Sequence, residues 1–264
     1  MRLESILEKI IKYLPIKSKR NYQVIYFHEV TKENGKGYDF INVHKFEKQM
    51  KYLYQNNYQT LTFEDLNNQK KKINKKMKNI LITFDDGYIN NYKLVYPIMK
   101  KYGLKFNIFI EAGAINKKDN YLSWEMINEM ASSKLVGFGA HTYNHVDARY
   151  IKESTFQKEI VDTNELINQK TNLKVEDFCF PYGLYDSNII ELLTKSKEYK
   201  RLYTSDGIKY KHKDSVTTIG RVGIKNEDDL KTFIGKVKGK YNFFYSLNRK
   251  IKSKKKGYLN EVSR

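Results

Sequence analysis

Short apolar runs alternate along this chain with longer stretches in which apolar residues recur every three or four positions. The short runs predict strands at 23–27, 80–84, 105–110, 136–140, 178–180, 201–204 and 217–224. The helical spacing predicts helices at 3–14, 45–57, 63–66, 89–102, 124–132, 153–169, 187–196 and 227–234. Within these, Leu3, Ile6, Leu7, Ile10, Ile11 and Leu14 make an amphipathic face ahead of Pro15, Phe46, Met50 and Leu53 share one face, and Ser123 is placed to cap the helix beginning at Trp124. Repeated strand–helix alternation argues for a parallel sheet with helices outside it, and the number of repeats suits closure into a barrel. Three segments follow: an amphipathic helix in 1–21, a catalytic-sized domain in 22–235 and a basic, aromatic tail in 236–264.

Composition narrows the function classes. The chain has 264 residues and a formal net charge of +19, but Lys, Asn, Ile and Tyr are all abundant and Arg is scarce, so the charge reads as compositional bias more than as a phosphate grip. No nucleic-acid recognition element is visible, and no nucleic acid is expected as a partner. The lone Cys179 excludes an internal disulfide and a cysteine-rich zinc site. There is neither a secretory signal nor an apolar run of about eighteen residues, so the expected compartment is the cytoplasm. The basic and aromatic tail, with Tyr241, Phe243, Phe244, Tyr245 and Tyr258, is either a frayed terminus or a peripheral contact with anionic lipid at the inner membrane face.

The chemistry gathers around the strand at 80–84. It runs into Asp85, Asp86 and Gly87 at its carboxyl end, where α/β folds place their reactive groups. Adjacent carboxylates repel each other unless a cation or strong donors absorb the charge, although an ordinary Asp-Gly turn would look the same in isolation. His141 and His145, four apart after another predicted strand, change that balance. Two neutral imidazoles and one carboxylate are a common open catalytic metal site, and the second carboxylate is then free to act as a base.

Taken together, the stretches Thr83-Phe84-Asp85-Asp86-Gly87, His141-Thr142-Tyr143-Asn144-His145 and Phe180-Pro181-Tyr182-Gly183 resemble the motifs of the polysaccharide deacetylases, a carbohydrate esterase family. Leu122-Ser123-Trp124 resembles the family's approach to its histidine motif. Tyr26-Phe27-His28-Glu29-Val30, followed by Phe46, Met50 and Leu53, resembles the poly-N-acetylglucosamine deacetylase branch, in which the motif order is permuted. The likeness covers roughly residues 22–232. It implies an α/β fold, a deformed (β/α)7-type barrel of mostly parallel strands with outer helices.

The resemblance also implies roles. Asp85 would be the general base, and Asp86, His141 and His145 would hold a divalent metal, zinc most often, with cobalt, nickel or another divalent ion as alternatives. Pro181, Tyr182 and Gly183 would line the substrate, with the Tyr182 amide donating to the oxyanion. The late histidine that carries the acid in commoner members is not evident after Ile224, and in the permuted branch an early histidine takes its place, here His28. Many members also carry an arginine two residues before the proline, where this chain has Cys179, as the branch does not keep that arginine either. Arg221, on an otherwise apolar strand, is the candidate to keep Asp85 ionised and oriented.

The implied function is metal-dependent removal of an N-acetyl group from an N-acetylated sugar or polysaccharide. Two alternatives stand beside it: an amide hydrolase, deformylase or deacetylase, acting on a lipid- or nucleotide-linked sugar, and a carbohydrate-binding protein with a relic site. The last would be expected to have lost a ligand or the base, and none is lost. Cys179 reads as a small buried residue, His44 as a helix-start residue, His212 as solvated, and Asp206 as a turn residue that could also border the mouth.

Overall fold

The computed structural model describes residue 11 and residues 21–33, 40–67, 76–205, 209–211 and 216–242. The N-terminal amphipathic stretch apart from Ile11, the tail beyond Asn242, and with them Asp206 and His212, lie outside the described residues. Among those described, no helix is long and apolar enough to cross a membrane.

Twelve strands are formed among the described residues. In chain order they are β1 (Gln23–Phe27), β2 (Glu29–Thr31), β3 (Phe40–Asn42), β4 (Tyr58–Leu61), β5 (Lys78–Phe84) and β6 (Phe106–Ile110). There follow β7 (Val136–Ala140), β8 (Asp177–Cys179), β9 (Arg201–Thr204), β10 (Lys209–Lys211), β11 (Thr217–Gly220) and β12 (Val222–Gly223). The main sheet runs β10-β11-β9-β8-β7-β6-β5-β1-β12, and every neighbouring pair is parallel except β10 with β11. β5 shares one edge between two partners. β4 pairs with its first half, at Lys78 to Leu81, and β6 with Thr83 and Phe84.

Closure comes from the chain itself. β11 lies beside β9 at one end of the sheet, and after the single residue Arg221 the chain becomes β12, which lies beside β1 at the other end. The sheet therefore curls into a nearly closed parallel barrel with helices around it, the expected fold.

Side-chain alternation sorts the strands into two layers. Ile80, Ile82 and Phe84 of β5, with Ile25 and Phe27 of β1 and Phe106, Ile108 and Ile110 of β6, join the large cluster that the helices cover. Their sequence neighbours Val24, Leu81 and Phe109 join a smaller cluster with Leu61, Phe63, Cys179, Tyr203 and Ile219, which fills the barrel. Strands buried on both faces read as continuous apolar runs, which is why the run at 80–84 is so plain. The same alternation turns Leu81, Thr83 and then Asp85 inward.

The helix at Val43–Gln55 buries Phe46, Met50 and Leu53 as their spacing predicts, and Asn42 caps it by accepting from the His44 amide. The helices at Trp124–Ser132 and Ser187–Ser196 match their predicted spans, with Ser123 and Asp186 as caps. Four predicted elements differ, one of them the helix expected over 153–169, which is interrupted by a π turn at Gln157–Val161. The helix expected over 89–102 opens with a wide π turn at Asn91–Val95 before Tyr96–Tyr102, because Pro97 has no amide to give and its ring crowds the carbonyl four residues back. The strand expected over 217–224 breaks at Arg221. The helix expected over 227–234 is Leu230–Val237, starting after Asp229, whose side chain accepts from the Thr232 amide. β2, β3, β4 and β10 are too short to announce themselves by periodicity.

Gly139 on β7 gives the barrel wall room for a ring. A Cβ added there would lie 2.6 Å from the Phe109 ring and 2.9 Å from the Asp177 carbonyl oxygen. Gly139→Ala is expected to destabilise the fold by about 1–3 kcal/mol through overpacking, read as a lower urea midpoint at unchanged slope. A midpoint equal to wild type would show that Phe109 can move aside.

Candidate active site

The carboxyl ends of β1, β5, β7 and β8 deliver His28, Asp85 and Asp86, His141, and the Pro181-Tyr182-Gly183 turn to one mouth of the barrel. Arg221, at the seam, comes from the opposite direction in sequence but reaches the same place. Its buried guanidinium grips Asp85 at both oxygens, Nη1 to Oδ1 at 2.6 Å and Nη2 to Oδ2 at 2.8 Å. Nη1 also donates to Thr83 Oγ1 at 3.1 Å, Nε to the Thr204 carbonyl at 3.3 Å and Nη2 to Cys179 Sγ at 2.9 Å. The rings of Tyr26 and Phe109 lie 4.6 and 5.3 Å from its central carbon.

Burial by itself would raise the pKa of Asp85. The charge and hydrogen bonds of Arg221 outweigh burial and hold it below the usual carboxylate range, so Asp85 stays ionised. His28 Nε2 lies 3.9 Å from Asp85 Oδ2, on the open side of the pair, with its ring edge-on to Tyr26.

Asp86 faces a different set of groups. His141 Nε2 lies 3.3 Å and His145 Nε2 3.2 Å from the same oxygen, Oδ1. That oxygen is buried and receives no aligned hydrogen bond. His141 Nδ1 is 2.7 Å from the Cys179 carbonyl, a contact that places a proton on Nδ1, so that in the neutral ring Nε2 is the nitrogen free to act as a ligand beside Asp86. Two imidazole nitrogens and a carboxylate oxygen within 4.8 Å of one another are a donor set that fits a divalent cation, and the orphaned oxygen is the observation that favours one. Burial opposes ionisation of Asp86 and protonation of His145, but contact with His141 and then His145 draws Asp86 far down, and contact with Asp86 draws His145 up.

Asp85, His141 and Cys179 form a second trio within the same span. Arg221 already occupies both Asp85 and the sulfur, and burial keeps the Cys179 thiol well above its ordinary pKa, so that trio does not suit a cation.

The mouth concentrates backbone strain. Asp86, Thr142, His145 and Tyr182 all have positive φ, at 71°, 61°, 54° and 59°. Each left-handed residue costs about 1–2 kcal/mol, so surrounding bonds must hold them. At Tyr182 the next residue is Gly183, also left-handed, and a Cβ on it would collide with the Ser205 side chain. Tyr182 itself is 65% exposed and sets its ring 4.8 Å from that of His145, at the surface of the mouth.

Four further groups act here without having been assigned a role from the sequence. Thr83 and Cys179 contact Arg221, Glu159 binds the histidine loop, and Tyr88 stands beside Asp86 with its phenol pushed up to about 12 by burial and then by that carboxylate. Tyr88 is the residue after the Asp-Asp-Gly motif and could have been found by adjacency; Glu159 had no local signal. His44 lies on its helix start, away from the motifs, with its amide on Asn42.

Residues 72–200 match a family model described as Polysaccharide deacetylase. A Bacillus subtilis protein, YxkH, named for the same family, is 32% identical over 166 residues, covering 62% of this chain and 58% of its own. A Staphylococcus aureus poly-beta-1,6-N-acetyl-D-glucosamine N-deacetylase is 26% identical over 185 residues, covering 65% and 63%. The chain thus spans about six tenths of the length of these curated relatives. Among solved structures, a Streptococcus pyogenes deacetylase, PplD, in complex with acetate shares the fold at a TM-score of 0.72 and 20% identity, over 85% of this chain and 99% of that one. IcaB from Ammonifex degensii does so at 0.65 and 23%, over 83% and 97%.

The Asp85–Arg221 contact carries a pH signature. Arg221→Met leaves a buried carboxylate without its partner and is expected to cost about 3–5 kcal/mol at neutral pH. The depressed folded pKa of Asp85 contributes stability that is fully present above its unfolded value near ~3.9 and lost as pH falls through the folded value. In the variant, burial with no counter-charge raises the Asp85 carboxyl, so the gap in urea midpoint should shrink from pH 7 towards 4 as that carboxyl takes up a proton, and further below ~3.9 as wild type loses its ion pair. A gap independent of pH would mean that Arg221 acts by packing alone.

Proposed function

We propose, from the match of residues 72–200 to the polysaccharide deacetylase family and its curated relatives, that the chain hydrolyses the N-acetyl group of an amino sugar in a polysaccharide, with a divalent cation held by Asp86, His141 and His145. The observation that carries the reading is the division of labour between the two adjacent aspartates. Asp86 points its unsatisfied oxygen at two imidazoles, while Asp85 has both oxygens held by an arginine.

A divalent cation bound there supplies Lewis-acid polarisation of the acetyl carbonyl and makes water a better nucleophile near neutral pH. The protein groups do the rest. Asp85, ionised and fixed by Arg221, accepts a proton from the attacking water as its oxygen bonds to the acetyl carbon. The amide of Tyr182, in the left-handed turn beside His145, donates to the oxygen that gains charge. His28, across from Asp85, gives a proton to the sugar nitrogen as the carbon–nitrogen bond breaks, leaving acetate and a free amine. Pro181 and Gly183 shape the turn, and the exposed Tyr182 ring offers a face to the sugar.

These roles separate under mutation. His141→Ala and Asp86→Asn are expected to lose bound zinc and acetate release together, measured on the same samples with an N-acetylglucosamine oligomer. Asp85→Asn and His28→Ala should keep stoichiometric zinc while acetate release falls by about 10²–10⁴-fold. Zinc bound by wild type with no acetate formed would direct the reading to a different N-acylated sugar. Wild type that binds no divalent metal at all would sink it.

A further inference from the structure

The loop from His141 to Val146 carries two of the three candidate ligands and two left-handed residues, Thr142 and His145. Its two histidines are not held alike. The His141 ring is anchored through Nδ1 to the Cys179 carbonyl at 2.7 Å. Among the described residues no hydrogen bond reaches His145 Nδ1, so the aim of its Nε2 depends on where the loop backbone lies.

That backbone is gripped from outside by Glu159. One carboxylate oxygen, Oε2, accepts from the amides of Tyr143 at 3.1 Å and Asn144 at 3.0 Å; the other, Oε1, accepts from Asn144 Nδ2 at 2.6 Å. Glu159 is buried, and among the described residues it makes no ion pair, so its charge is met by the loop alone. A buried carboxylate satisfied wholly by N–H donors of a single loop stays in place only while the loop keeps its shape. The coupling runs both ways.

The helix around Glu159 is bent to the task. The stretch expected as one continuous helix contains a π turn at Gln157–Val161, with Glu159 in it and the Thr163 hydroxyl donating to its carbonyl at 3.0 Å. A π turn widens the helix and displaces one residue from the regular face, which lets a side chain reach a partner that α-helical spacing would miss. Here the displaced region meets the histidine loop.

We propose that Glu159 is a positioning residue, which fixes the backbone at Tyr143 and Asn144 so that His145 Nε2 converges with His141 Nε2 on Asp86 Oδ1. This rests on reading Asp86, His141 and His145 as metal ligands, and it adds a residue far from every motif to the machinery that shapes the site. Asn144 is its counterpart, because that side chain closes the third bond.

The test uses amide hydrogen exchange of the 141–146 segment and zinc affinity by chelator competition, on the full chain, with thermal unfolding as control. Glu159→Ala should speed exchange at Tyr143 and Asn144 at least about tenfold and weaken zinc binding by roughly 10–100-fold. Asn144→Asp should do the same, since it sets two carboxylates against each other. Asn144→Asp combined with Glu159→Gln should recover both readouts to within about threefold of wild type. In that double variant the introduced carboxamide still accepts from the backbone amides through its oxygen, while its NH2 donates to the new carboxylate.

Should Glu159→Ala fail to fold, the comparison of Asn144→Asp with the double variant decides. Exchange and zinc affinity unchanged in Glu159→Ala, or a double variant no better than Asn144→Asp, would overturn the proposal. A wild type that protects these amides but binds no zinc would count against the metal reading and, with it, against any role for Glu159 in aligning ligands.

Discussion

Everything at the mouth of this barrel depends on one buried ion pair. Arg221 stands where the sheet would otherwise have two open edges, between β11 and β12, and its guanidinium faces the end of β5. Two hydrogen bonds to Asp85, and others to Thr83, the Thr204 carbonyl and Cys179, tie β5, β8 and β9 to the closing segment. A buried charge pair gains little over apolar packing, but removing one partner is severe. The seam of the fold and the ionisation of Asp85 are thereby the same constraint.

That constraint explains how two adjacent aspartates can coexist. β-strand alternation sends Asp85 inward to the arginine, and the left-handed turn at Asp86 swings the next side chain away towards the imidazoles. Each carboxylate finds its own positive or hydrogen-bonding surroundings, so the repulsion expected of neighbours does not raise either pKa. The strain this requires is shared among Asp86, Thr142, His145 and Tyr182, in three separate loops. Such strain persists only where surrounding contacts over-determine it, which they do at the Glu159-bound loop and at the Gly183 turn.

Legibility followed the range of the interactions. The strands at Gln23–Phe27, Val136–Ala140 and Arg201–Thr204 and the helices at Trp124–Ser132 and Ser187–Ser196 were readable because burial on the sheet and capping act over a few neighbouring residues. The π turns at Asn91–Val95 and Gln157–Val161 were not, although Pro97 marked the first of them. Asp85, Asp86, His141 and His145 could be named as a group by residue type and spacing. Glu159 could not, since a glutamate in a polar helix looks like any solvated one until a loop sixteen residues upstream is folded against it.

What this chain's sequence determined by itself is the set of parts: buried parallel strands, capped helices between them, and chemistry-bearing residues at strand ends, all encoded by local periodicity and side-chain type. What only the tertiary structure decided is which part meets which. Arg221 is 136 residues from Asp85, and His141 is 38 from the carbonyl that selects its tautomer. Closure of the barrel brings these groups within hydrogen-bond range, and that closure is a property of the whole sheet, to which no single segment holds the key.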